Sequence, residues 1–123
     1  MTKVFIVSGA LVGLLAVLLG AFAAHGLREH LDIALLGSFK TGVQYQMYHA
    51  LALVLIGVLA HLYPAQRLLR WSGILFMTGI LLFSGSLYML ALTQISWFGP
   101  ITPLGGLAFM AGWLALAYAA TKF

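Results

Sequence analysis

The residues with chemistry to offer are few in this chain of 123 residues, which holds four histidines, five tyrosines and no cysteine. His49 is the first to consider, because it falls inside an apolar stretch where an ionisable side chain is rare and marks a functional candidate. Tyr45, Tyr48 and His49 stand at i, i+3 and i+4, so a helix puts them on one face beside Gln44. Ser84 and Tyr88 are one helical turn apart, and His25 and Thr102 lie at the ends of their own apolar stretches. His25, Gln44, Tyr45, Tyr48, His49, Ser84, Tyr88 and Thr102 are therefore taken together as a candidate polar cluster or ligand site. Two chemistries suit it: a hydrogen-bond network between helices, or a ligand or ion site. A pair of imidazoles, His25 and His49, would ligate haem or a metal only if both faced the interior at one depth, and no third ligand supports that pair. Met47, Met77, Met89 and Met110 read as core or lipid-facing fillers rather than copper ligands. No cofactor and no metal is expected.

Catalytic patterns do not accompany these residues. There is no Ser/His/acid set, no HExxH, no phosphate-binding loop and no pair of carboxylates. A membrane enzyme would have to work with His, Tyr and Gln alone, so a non-enzymatic protein is expected. No acidic residue lies in an apolar stretch either, which argues against proton-coupled export of the four-helix small multidrug type, where a buried carboxylate is needed.

The elements that must position the cluster follow from composition. The chain is 63% apolar and 7% charged, against about 25% charged in soluble domains. Lipid as solvent accounts for that surface. Lys3, Arg28, Glu29, Asp32, Lys40, Arg67, Arg70 and Lys122 all fall outside four apolar windows, Val4–Ala24, Val43–Leu62, Trp71–Leu92 and Leu104–Ala120. About 20 helical residues cross a hydrocarbon core about 30 Å thick. The expectation is an all-α polytopic membrane protein, with four transmembrane helices in one bundle and one domain over 1–123. The helices are expected at about 4–24, 33–62 with its span from about 43, 68–92 and 103–121.

Local signals refine these limits. Ala21-Phe22-Ala23-Ala24 mimics a signal-peptide cleavage site, but the apolar run before it is longer than such segments have, so a retained helix is expected. Asp32 is a plausible N-cap for the second helix, which is expected to bend near Thr41-Gly42, and Tyr63-Pro64 ends it. Leu27, Leu31 and Leu35, spaced by four, suggest a short interfacial amphipathic segment between the first two helices. Thr102-Pro103 reads as N-cap and first residue of the fourth helix, an N-terminus whose free donors suit capping or an anion. Gly9, Gly13 and Gly20 on the first helix, and Gly105, Gly106 and Gly112 on the fourth, form close-packing seams of the small-xxx-small kind.

Lys and Arg counts bear on orientation. Lys3, Arg67, Arg70 and Lys122 share one side, Arg28 and Lys40 the other, so both termini are expected in the cytoplasm. Charges scattered at helix ends suit lipid headgroups and not nucleic acid, despite the net charge of +4. With this topology the polar groups gather toward the outer membrane face.

Four stretches carry a resemblance: Gly20-Ala21-Phe22-Ala23-Ala24-His25-Gly26-Leu27, Thr41-Gly42-Val43-Gln44-Tyr45-Gln46-Met47-Tyr48-His49-Ala50-Leu51, Leu82-Phe83-Ser84-Gly85-Ser86-Leu87-Tyr88 and Ile101-Thr102-Pro103-Leu104-Gly105-Gly106. In this order they resemble domain-of-unknown-function family 423, small bacterial inner-membrane proteins related to eukaryotic transmembrane protein 256. Ala23 departs from the glycine more common there. The resemblance implies a four-helix protein of the bacterial inner (plasma) membrane and implies no activity. Three functions stay open. The first is a structural or accessory protein that forms a homo-oligomer or joins a larger membrane complex in the lipid bilayer. The second is a small oligomeric channel or transporter with an outer polar vestibule. The third is a haem-, quinone- or metal-binding membrane subunit.

Overall fold

A computed structural model describes residues 1–123. Four long helices form it: α1 (Thr2–His25), α2 (Ile33–Leu62), α3 (Arg67–Thr93) and α4 (Ile101–Ala120). Each is long and apolar enough to cross a membrane. At about 1.5 Å per residue, α2 is about 45 Å long and overshoots the hydrocarbon core.

Helix limits have local causes. Asp32 caps α2, its carboxylate accepting from the Leu35 N–H at 2.8 Å. The first turns of α2 continue into the span as one helix through Thr41 and Gly42. Its end at Tyr63 precedes Pro64, which has no N–H to continue the ladder. Gln94 stops α3 with φ 59°, the left-handed geometry that glycine usually supplies, and its N–H reaches the Leu90 carbonyl.

Two features differ from expectation. The fourth helix starts at Ile101 with Pro100 before it and no side-chain cap, not at Pro103 behind a Thr102 cap. The Ser96–Phe98 3₁₀ turn winds the chain early, and the Thr102 hydroxyl is drawn instead to Ser86 of α3. Pro103 still sits in the first turn, where its missing donor is harmless. Second, α3 contains a π-helical turn at Ile80–Ser84, in which the Gly85 N–H reaches back to the Ile80 carbonyl.

The short segment between α1 and α2 is a turn. Leu27 is buried there with Ala23, Phe39 and Ala91, and Leu31 and Leu35 pack against that group. Their apolar side therefore seals the end of the bundle that holds His25. The larger core lies deeper and toward the other end, around Phe5, Leu53, Ile56, Leu69, Phe76 and Phe109.

The helices pack in chain order. α1 lies along α2, α2 meets α3, and α4 lies along α3, while α1 and α4 do not close the ring. Both hairpins depend on glycine. A Cβ on Gly9 would sit 2.8 Å from the Ala50 carbonyl oxygen, and one on Gly105 would strike the backbone of Phe83. Gly13 and Gly20 also face α2, and Gly112 faces Phe76, whereas Gly106 has only loose contact. The seams expected from sequence are thus spent on packing inside the chain.

Candidate functional site

Polar side chains between the helices are bonded to partners across helix boundaries. Gln46 is the principal tie. Its amide donates to the Val12 carbonyl of α1 at 2.9 Å, and its carbonyl accepts from the Tyr88 hydroxyl of α3 at 2.6 Å. One buried side chain so joins three helices. Ser84 donates to the Gly42 carbonyl at 2.6 Å, and Ser72 donates to the Gly112 carbonyl at 2.8 Å. Ser86 and Thr102 share a short bond that pins the start of α4 to α3.

The π turn lies within this arrangement. Ser84, its last residue, points to α2, while Ser86, two residues on and so on the opposite side of the helix, points to α4. Gly42 makes room for the first contact, since a Cβ there would lie 2.8 Å from the Tyr88 ring.

His49 is the centre of a second group. Its Nδ1–H donates to the Tyr45 carbonyl at 2.7 Å, and its Nε2 accepts from the Trp113 indole N–H at 3.1 Å. The two bonds fit one neutral tautomer and use both nitrogens. The imidazole stacks on Phe109 with centroids 3.6 Å apart, and the Tyr45 ring continues the layer to Phe83. These aromatic groups line a lateral groove of about 330 Å³ between α2 and α4. To serve as a base or a metal ligand, His49 would first have to give up Trp113.

The remaining candidates lie outside both groups. His25 is exposed at the end of α1. His49 follows Ala50 in level with Gly13 of α1, so roughly 18 Å of depth separates the two histidines. They do not form a ligand pair. Gln44 and Tyr48 are also exposed, bonded to each other at 2.6 Å on the outward side of α2. Tyr45 lies between, its ring in the groove and its residue 38% exposed. No buried side-chain nitrogen or oxygen is left without a partner.

Gln46, Ser72 and Trp113 matter here and were not singled out as site residues from sequence. A signal for Trp113 existed: an indole in mid-span needs an acceptor, and His49 is the imidazole at that depth. Gln46 had the same signal as Gln44, and only helix phase separates the buried amide from the exposed one. Ser72 had none, since a lone serine near a helix end has no fixed partner in sequence.

Comparison with known proteins agrees with this architecture. A family model described as "Protein of unknown function (DUF423)" matches residues 19–106. UPF0382 membrane protein YwdK of Bacillus subtilis (strain 168) is 50% identical over 121 residues, covering 98% of each chain. UPF0382 membrane protein SH2409 of Staphylococcus haemolyticus (strain JCSC1435) is 47% identical with the same coverage. No solved structure matches.

Proposed function

The chain belongs to the DUF423 family of membrane proteins, and on that premise we propose that it is a non-enzymatic protein of the bacterial inner (plasma) membrane that acts by association, first with a second copy of itself. The observation that carries this reading is the outward side of α2. Gln44, Tyr48, Leu51, Leu55, Val58 and Leu62 are all exposed and recur at steps of four and three. They form one stripe that faces away from α1, α3 and the groove. Such spacing suits helix-to-helix packing, and since Val4, Val7, Leu11, Leu14 and Leu18 of α1 show the same rhythm, it is the polar end of the stripe that sets α2 apart.

The polar end of that stripe favours a protein partner over lipid alone. Gln44 donates one bond to Tyr48, which leaves the amide oxygen, a second amide hydrogen and the Tyr48 hydroxyl hydrogen to satisfy. Lipid tails provide no partner, and a second helix carrying the same pair does. The glycine seams do not support association, because they are occupied inside the chain.

Conduction has less support. The polar groups of the outer half are bonded across helices rather than arrayed along a path. A larger membrane complex remains the second form of the association reading, using the same α2 stripe. The excess of Lys3, Arg67, Arg70 and Lys122 at one end supports cytoplasmic termini.

Native mass measurement of the full chain in mild detergent tests self-association. The expected result is a dimer, with Gln44→Leu weakening it about threefold, the size of an average interhelical hydrogen bond. A strict monomer with no co-purified partner would sink the proposal.

A further inference from the structure

The end of the molecule opposite His25 is cationic and lacks acidic side chains. Lys3, Arg67, Arg70 and Lys122 lie there, while Glu29 and Asp32 lie in the turn at the far end. Lys122 is occupied locally, its ammonium 5.5 Å from the centre of the Tyr118 ring. Arg67 and Arg70 are exposed, and two clefts meet at them. One, of about 310 Å³, is walled by the start of α1 and by Tyr63 and Pro64 of the α2–α3 turn. The other, of about 410 Å³, runs from the two arginines to Trp71 and Ile74.

Arg67, Arg70, Trp71 and Ile74 stand at i, i+3, i+4 and i+7, which is one stripe of α3. The stripe changes character with depth. Its guanidinium groups are at the helix end, where headgroups lie, and Ile74 is about 10 Å deeper, among acyl chains. Trp71 is 58% exposed between them. A guanidinium offers a planar fork of donors that matches a phosphate oxygen pair. No carboxylate side chain at this end competes for it.

We infer that this cleft seats an anionic glycerophospholipid, with its phosphodiester on Arg67 and Arg70 and one acyl chain along Trp71 and Ile74. A soluble phosphate would use the arginines and leave the apolar half of the slot empty. The walls from α1 and the α2–α3 turn bound the headgroup half of the site, which sets it apart from a bare lipid-facing helix, while the acyl half lies along α3 alone. The site lies on α3 and is independent of the α2 association stripe.

The test uses the delipidated full chain in mild detergent, with phosphatidylglycerol, phosphatidylcholine and inorganic phosphate as separate probes. Native mass spectrometry is expected to show a one-to-one phosphatidylglycerol adduct about tenfold tighter than the phosphatidylcholine adduct. The pair Arg67→Gln and Arg70→Gln should remove that preference, while Lys3→Gln leaves it within about twofold. Brominated phosphatidylglycerol should quench tryptophan emission, and Trp71→Phe should remove most of the quenching. That second measurement stands even if the arginine pair variant folds poorly. Equal affinity for the two lipids, an unchanged adduct in the arginine pair variant, or quenching that survives Trp71→Phe each overturns the site. So does an equal loss in Lys3→Gln, which would mean diffuse attraction. Displacement of phosphatidylglycerol by inorganic phosphate would make the site one for a soluble anion and overturn the lipid.

Discussion

Residue chemistry inside this membrane protein is committed to structure. Gln46 shows it most clearly, since both ends of one amide are used by different helices. In lipid each lost bond leaves a polar atom with few substitutes, though measured interhelical bonds are modest. A double-mutant cycle between Gln46→Leu and Tyr88→Phe, read by reversible unfolding in mixed detergent, should give a coupling of about 0.6–1.7 kcal/mol. A coupling of zero would mean that the bond adds nothing to the fold.

His49 was legible as a special residue and its role was not. An imidazole in an apolar stretch announces a need for partners, but sequence alone allows a ligand, a serine or a backbone carbonyl. The Trp113 indole decides it, and Trp113 lies sixty-four positions away on another helix. His25 and Gln44 illustrate the opposite error. Both are polar and near the same end, yet depth separates His25 from His49 and helix phase turns Gln44 to the exposed side of α2.

At the scale of elements, four spans were readable because charge and proline interrupt apolar runs at regular intervals. The N-cap at Asp32 and the stop at Tyr63-Pro64 were readable for the same local reasons. The π turn at Ile80–Ser84 was not, because no residue type in that apolar run marks it. The start of α4 was misplaced because Thr102 had a tertiary use stronger than capping.

Glycine spacing was legible, but the partner of each glycine was not. Gly9 and Gly13 look alike in sequence and differ in the fold. A Cβ at Gly9 would press on Ala50 and Val54 within 2.8 Å, whereas one at Gly13 would make an ordinary contact at 3.7 Å. Gly9→Ala should therefore destabilise the α1–α2 hairpin by about 1–3 kcal/mol, the range for overpacking. Gly13→Ala should change stability by less than about 0.5 kcal/mol in the same unfolding measurement. Equal effects would show that the two helices are not held at this distance.

In the whole molecule α1 and α4 flank a central α2–α3 pair without packing on each other, and this shapes what it can do. Its polar groups hold the bundle together, four of its six lysines and arginines gather at one end, and its widest unpartnered surfaces are apolar faces of α1, α2 and α4. Most such surface needs only lipid. The α2 stripe differs because Gln44 and Tyr48 close one end of it with polar groups that a second copy can bond.

A chain without cysteine allows that claim to be tested in native membranes with single introduced cysteines. The central measurement is disulfide formation for cysteines placed one at a time from position 48 to position 62, and at position 114 on α4 for comparison. The account predicts cross-linked dimers at Tyr48, Leu51, Leu55, Val58 and Leu62, and none at the buried Leu53 and Ile56 or at Leu114 on α4. The same set, extended to Ala65 and read with an impermeant thiol reagent, should place that turn on the cytoplasmic side. Cross-linking without the four-and-three rhythm, or strongest at α4, would contradict association through α2.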